Sequence, residues 1–480
     1  RWDHKTTRNL RAKDVENAIR NPFYRDHPEL INKKTTFIRA MVAKVIRTLK
    51  KYWKSDDPEI LTKHVPTHSG GSEMEEQERQ RCLSYARAVH NIMIQSDATK
   101  ERGGTSGICM TFDAFLKTFS LYCKNSYWYL CDRNGRQYDY ILVDEAQDLN
   151  PPMCELISSH AGRGHTALIL VGDSHQRIYS FNNCIDSLAE GRDLKFDYTF
   201  PLTGTFRSRE EVTAVGGNAL RVLKRDWRPF VGLGGAKGQV ICPWRPFVGL
   251  SNVKGPAICP SAEHVNGCDG KVAHIFRYSR TLLDYAANLA ACGTDFTTSL
   301  GDRLETLLDL VRGCWYLRMG KMELYRSAHQ RRFVEYQSWE ALMESMDDLG
   351  DDDLLQALLI TLSLEGRGEL PGEMEGPSHI FSGVSHHAVA DADIHLTTCH
   401  KAKGQEWDNV RVAEDFLSGW ESGAFESTVA QLDIGRAAWS REKVDELNLV
   451  YVAVTRARRR LFLGPRLGAI LQVLDDELSG

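Results

Sequence analysis

The stretch YDYILVDEAQDLNPP (138–152) sets a short apolar run directly against three acids. Tyr138 to Val143 reads as a buried strand, and Asp144, Glu145 and Asp148 crowd the point where that strand ends. An open α/β sheet binds its ligands outside the carboxyl ends of its strands. A carboxylate at that place suits Mg²⁺, which takes oxygen ligands and keeps several waters. A second carboxylate beside it is placed to orient and deprotonate an attacking water. An acidic turn after a strand is also, more often, a solvated loop or a helix start, so the companions of this motif decide its meaning.

The chain has 480 residues, enough for two to four domains, with 42% hydrophobic and 26% charged residues. Its formal net charge of −4 makes no global case for nucleic acid, so that case has to come from local patches. No window approaches the ~18 consecutive apolar residues of a membrane span, and RWDHKTTRNL at the start holds no apolar signal core. The 12 cysteines form no CxxC pair, which argues for reduced thiols in cytosol or nucleus and against zinc. The first residue is Arg1 rather than Met, which suggests a fragment.

Residues 1–54 carry 15 Lys/Arg against 5 Asp/Glu, with Phe23, Tyr24, Phe37, Tyr52 and Trp53 interleaved. FIRAMVAKVIRTLKKYW (37–53) places apolar residues at 38, 41, 42, 45, 46, 49, 52 and 53, the spacing of a helix with a basic opposite face. That face is either solvated or a phosphate-contacting surface. Strand–helix alternation begins near 108 and returns after 393, with a mostly helical stretch over 300–380. WRPFVGLGGAKGQVIC (227–242) recurs as WRPFVGLSNVKGPAIC (244–259), identical at 11 of 16 positions. Two copies do not make a solenoid.

Beyond the opening stretch come LILVGDSHQRIYSF (168–181), LTGTFRS (202–208), IFRYSRT (275–281), HLTTCHKAKGQEWDNV (395–410) and ELNLVYVAVTRARRRL (446–461). With these segments in this order, the chain resembles superfamily 1A DNA helicases of the UvrD/PcrA/Rep type. Within that family the likeness is greatest to F-box DNA helicases. The resemblance implies an α/β fold of two RecA-like motor domains, the first incomplete, with helical insertions. Residues 1–105 would be a helical insertion, 106–215 the remaining part of the first motor domain, 216–300 and 390–480 the second, and 300–390 a further helical insertion. Sheets from the two motors would face each other across a cleft that takes a triphosphate.

By the same resemblance Asp144 holds Mg²⁺ and Glu145 activates water, while Gln147 and Gln176 sense the γ-phosphate of ATP. Arg280 and Arg456 match the two arginines that reach that phosphate. Their fork suits spread negative charge. The stripe Leu447, Val450, Tyr451 and Val454 would turn Arg456 inward; the alternative is an ordinary surface arginine in the run with Arg458, Arg459 and Arg460. Gly404 and Glu406 match the turn that couples nucleotide to DNA. His400, Lys401, Lys403 and Arg207 suit a strand's phosphates. Phe181 matches an aromatic that stacks on a single-stranded base, with Tyr179 packed beneath it. The implied role is an ATP-dependent 3′-to-5′ helicase acting in the nucleus on single-stranded DNA and duplex junctions, in repair and recombination control, alongside repair or recombination proteins. No F-box sequence and no membrane association is visible.

The chain departs from the family pattern at one decisive place. No G-x-x-x-x-G-K-[ST] phosphate loop occurs in it. GGTSG (103–107) lacks a lysine, and the lysines of CDGKV and MGKME lack a following Ser or Thr. The family places this loop, and the central strand before it, upstream of such a segment. Loss of that strand would leave the first sheet with an exposed edge, and the chain alone marginally stable and aggregation-prone. Asn182 and Asn183 stand where the family has Arg-Gly, and Gln405 and Trp407 where it has Leu and Phe. The alternative function is a non-catalytic DNA-binding or scaffold remnant. A metal-dependent nuclease would need a second set of acids that the sequence does not offer.

Overall fold

A computed structural model describes residues 10, 12–28, 36–69, 72–100, 108, 110–125, 131–132, 134–161, 166–180, 183–188, 196–224, 226–234, 238–241, 270–333, 336, 338–344, 346, 352–417, 441–464, 466–468 and 471. The fold is mixed α/β with parallel sheets and many helices, as expected for a UvrD-like two-domain architecture. By contacts it divides into two units. One gathers 1–172, 181–195 and 313–359; the other gathers 173–180, 196–312 and 360–480. None of the described helices is long and apolar enough to cross a membrane.

In the first unit the basic segment folds as anticipated. The helix Thr36–Trp53 buries Ile38, Met41, Val42, Val45, Leu49, Tyr52 and Trp53 against the helices Ala12–Asp26 and Glu76–Lys100. The helical period therefore set its inner face correctly. Its basic face is only partly outward. Lys44 is 6% exposed and pairs with Glu78 at 2.7 Å, and Lys51 donates to the Lys63 carbonyl at 2.7 Å. Lys117 is fully enclosed and donates to the Ser55 carbonyl at 2.7 Å; burial pulls its pKa down to about 8.

The strand Tyr140–Val143 forms, and pairs in parallel with Ala167–Leu170. The expectation that it is buried is corrected here. Tyr140 is 65% and Leu142 73% exposed, and Ile169 on the neighbouring strand is 45% exposed. Only the opposite face is covered. There Val143 and Leu170 pack against a small cluster of Ala146, Leu149 and Cys154. An apolar run without period-2 alternation reads as covered on both faces; among the described residues only one face has something to pack on.

The second unit is built on a six-stranded, all-parallel sheet. Its order is Gln239–Ile241, Ala457–Leu463, Trp407–Val412, Val272–Phe276, Ile394–Thr398, Thr297–Thr298. Every residue of Val272–Phe276 is buried, as a central parallel strand covered on both faces requires. The helix Arg441–Val454 covers one face with Leu447, Leu449, Val450, Val452 and Val454, packed against Ile275, Val410 and Leu461. The first copy of the duplicated block supplies two strands, Val231–Gly232 and Gln239–Ile241. The second copy, 244–259, lies outside the described residues, as does GGTSG (103–107).

These contrasts give two expectations. Leu461→Ala, at a fully buried site, should cost about 2–5 kcal/mol in urea melts. Leu142→Ser should change stability by no more than about 0.5 kcal/mol while reducing light scattering by the concentrated chain; a large loss of stability would show that this face is covered in solution. A third concerns His274, on the buried central strand, whose ring lies 5.0 Å from that of Tyr285. Burial holds its pKa down at about 3, whereas an imidazole in the unfolded chain titrates near 6.5. The unfolded chain therefore binds the extra proton between those values. The stability this residue contributes is complete above about pH 6.5 and is lost as pH falls toward 3. His274→Leu should flatten the acid limb of unfolding free energy between pH 6.5 and 4, and an equally steep limb in the variant would refute the assignment.

Candidate functional site

In the first unit the acids stand where the strand ends. Asp144 and Glu145 are exposed, and Asp144 Oδ1 accepts the Glu145 N–H at 2.8 Å. Glu145 lies in the left-handed region at φ 51°, a conformation that costs a non-glycine residue about 1–3 kcal/mol and gathers at functional sites. Gln147, fully buried, donates through Nε2 to Glu145 Oε2. The turn is tied to the neighbouring strand by Ala146 N–H to Val171 O at 3.0 Å. Gly172 closes the packing: a Cβ there would lie 2.3 Å from Gln147 Oε1 and 2.9 Å from Ala146 N. Among the described residues no group of three or more His, Cys, Asp or Glu forms a metal cage. Two adjacent carboxylates still fit Mg²⁺ carried in by a phosphate ligand, because that ion ordinarily takes one or two protein carboxylates and completes its shell with water and phosphate oxygens.

The second unit gathers most of the remaining candidates. Residues 173–180 belong to it. Gln176 lies in the short turn Ser174–Gln176, capped by the Asp173 side chain through the His175 N–H at 2.9 Å. Gln176 Nε2 donates to Asp173 Oδ2 at 3.0 Å, and its Oε1 accepts from Arg456 Nη2 at 3.2 Å. Arg456 is only 1% exposed, so it is not a surface arginine. It also donates to Val452 O at 3.0 Å, Gln405 O at 3.3 Å and Thr455 Oγ1 at 3.2 Å.

Glu406 lies 2.7 Å from Arg207 Nε and also pairs with Arg458. The Arg458 hydrogen bond, with Arg207 adding, holds its carboxyl below the usual glutamate range. Gly404 takes φ +80°, the left-handed turn that frees the chain for Gln405 and Glu406. Lys403 donates to Gln176 O at 2.9 Å and lies 5.1 Å from the Tyr179 ring centre. Lys401 donates to Ser299 O at 2.7 Å. His400 is largely enclosed; burial lowers its pKa, and its carbonyl accepts from the Tyr179 hydroxyl at 3.1 Å. Tyr179 thus packs as structural support.

Arg280 is exposed on the first turn of the helix Ser279–Ala291, 5.8 Å from the Tyr278 ring centre. Nothing described in its own unit joins it to Arg456. Phe181 and Asn182 lie outside the described residues. Two participants escaped the sequence reading. Asp173 was legible: D-S-H-Q (173–176) has the spacing of a helix cap. Arg458 was read only as one of a basic run. In Arg277, Nε pairs with Glu446 at 2.7 Å where the strand Val272–Phe276 ends.

If Arg456 is clasped as described, Arg456→Lys should destabilise the chain by about 1.5–3 kcal/mol, since a point ammonium cannot reach four acceptors spread around a planar fork. Denaturant melts of the two proteins measure it, and equal midpoints would refute the clasp.

Comparison with known proteins gives matches along most of the chain. Residues 4–188 match the UvrD/REP helicase N-terminal domain, and residues 381–465 the UvrD-like helicase C-terminal domain. F-box DNA helicase 1 of Gallus gallus is 26% identical over 453 residues, covering 92% of this chain and 39% of the relative. F-box DNA helicase protein 1 of Schizosaccharomyces pombe is 25% identical over 428 residues, 87% of this chain and 42% of the relative. A probable DNA helicase of Mycoplasma pneumoniae is 31% identical over 152 residues, 31% of this chain and 26% of the relative. The chain thus spans about two fifths of the length of the two F-box helicases it matches.

Proposed function

We propose, from the premise that this chain belongs to the UvrD/REP helicase family, that it is part of an ATP-dependent, 3′-to-5′ DNA helicase or translocase. Its substrates are single-stranded DNA and duplex junctions, and its setting is DNA repair and recombination control in the nucleus. The observation that carries this reading is the hydrogen bond between Gln176 and the buried Arg456 guanidinium. Two side chains given to one phosphate by their motifs lie within bonding distance of each other.

Asp144 would hold Mg²⁺, which supplies charge neutralisation on the phosphates when bound. Glu145 is the general base, with Gln147 hydrogen-bonded to its carboxylate. By their motifs Gln176, Arg456 and Arg280 bind the γ-phosphate, and Gly404 and Glu406 form the coupling turn. Arg207, His400, Lys401, Lys403 and Phe181 contact the strand. In the full-length protein, single-stranded DNA should stimulate ATP hydrolysis, and Glu145→Gln should lower turnover by about 10²–10⁴-fold with DNA binding retained. Absence of stimulation, or a variant as active as its parent, refutes the motor.

A second reading has one observation in its favour: no G-x-x-x-x-G-K-[ST] string occurs in the 480 residues. On that reading these residues act as a non-catalytic DNA-binding or scaffold remnant. Removing the loop's donors should weaken nucleotide binding by about 10²-fold or more. Titration of this chain with Mg-ATP separates the two, since micromolar binding refutes the remnant.

A further inference from the structure

The stretch Leu447–Val454 of the helix Arg441–Val454 is buried throughout, and Asn448, 0% exposed, is the one amide in it. Its neighbours Leu447, Leu449, Val450 and Val452 belong to the apolar core of the sheet. Asn448 Nδ2 donates to the Arg177 carbonyl at 2.6 Å. Its Oδ1 meets no donor among the described residues. A buried amide with an unmet acceptor costs stability that an apolar side chain at the same place would not. Packing therefore does not account for an amide here, and the bond to Arg177 does.

Arg177 directly follows Gln176. The Gln176 N–H donates to Asp173 O at 2.9 Å, and its own carbonyl accepts from Lys403 Nζ at 2.9 Å. Lys403 and Asn448 thus hold two consecutive carbonyls. Earlier on the same helix the Asp445 carboxylate accepts the Ser180 hydroxyl. Three residues back along the helix match three residues forward along the segment, so 177–180 runs antiparallel to the helix in a fixed register. At the start of that track the Gln176 side chain donates to Asp173 Oδ2 at 3.0 Å and accepts from Arg456 at 3.2 Å. A glutamine side chain has several torsions, so where its amide arrives depends on how firmly its main chain is held.

We propose that Asn448 is a positioning residue for Gln176: by fixing the Arg177 carbonyl it holds the main chain from which the Gln176 amide reaches Arg456. This rests on the reading of Gln176 and Arg456 as a phosphate-binding pair. The two carbonyl donors differ in kind. Lys403 is half-buried and charged, and a phosphate oxygen competes for it. Asn448 is neutral and enclosed, so its hold persists when Lys403 changes partner.

The test uses the 480-residue chain with ¹⁵N in its glutamine side chains, the Gln176 signals being those lost in Gln176→Glu. Asn448→Leu keeps the branch at Cγ and removes the donor. The expected result is a melting midpoint within a few degrees of the parent and solvent exchange of the Gln176 side-chain protons faster by about tenfold, the factor one net hydrogen bond represents. Backbone amides of the buried strand Val272–Phe276 should exchange as in the parent. Unchanged exchange at Gln176 overturns the proposal. So does an acceleration shared equally by that strand, which marks a merely structural amide. Should Asn448→Leu fail to fold, Asn448→Ala is read in the same way, and continued protection of Gln176 overturns the proposal. In the full-length protein, Asn448→Leu should lower DNA-stimulated ATP turnover by about tenfold with KM for ATP within about threefold; parental turnover overturns the proposal. A parent without stimulated turnover counts against the motor reading, while the amide measurement still decides Asn448.

Discussion

A guanidinium removed from water is the constraint around which the second unit is arranged. Arg456 cannot shed its charge, so its enclosure demands acceptors on several sides. It finds them in the segment just before it, at Val452 O on the helix Arg441–Val454 and at Thr455 Oγ1, in the turn after Ile394–Thr398 at Gln405 O, and in residues 173–180 at Gln176 Oε1. One side chain therefore registers three segments distant in sequence. Enclosing a charge gives little net stability against an apolar replacement. What the arrangement gives is a single geometry, because leaving any of those acceptors unmet in a dry interior costs more than the bond itself contributes.

The other arginines of the unit obey a different rule. Arg207 and Arg458 are 40% and 46% exposed and share the carboxylate of Glu406, itself 31% exposed. Ion pairs of that exposure contribute about 0–1 kcal/mol, so either arginine can exchange Glu406 for another anion at small cost. The unit thus holds a fixed guanidinium beside exchangeable ones. A binding surface for phosphate needs the second kind, and a mechanical link between segments needs the first.

What could be read beforehand followed from periodicity and from spacing. The inner face of Thr36–Trp53 was legible because helical period depends on nothing outside the segment. The inward turn of Arg456 was legible from the stripe that precedes it, although the run of arginines around it reads equally as a surface. The strand Ala457–Leu463 resolves that ambiguity, since it begins one residue later and leaves Arg458 and Arg459 outward. Pairings were not legible. Sequence shows that Glu406, Arg207 and Lys403 are charged, but Glu406 bonding Arg207, or Lys403 bonding a main-chain carbonyl, depends on where three segments meet. The exposure of Tyr140 and Leu142 was missed for a related reason: an apolar strand states its need for cover and not whether cover is supplied.

That exposure bears on how the acids are held. A two-stranded sheet is marginal by itself, and the cluster behind Tyr140–Val143 is small. Apolar burial therefore contributes little to fixing Asp144 and Glu145. Polar and steric contacts take its place: Ala146 N–H to Val171 O, Gln147 to Glu145, and the close approach at Gly172 that leaves Gln147 no room to swing. Gln147, in the turn Ala146–Asp148, is fully buried although the strand before it is not. The strained left-handed turn at Glu145 persists because those neighbours over-determine it. The acid pair is thus specified locally, by groups within a few residues of it and of Val171, rather than by the sheet as a whole.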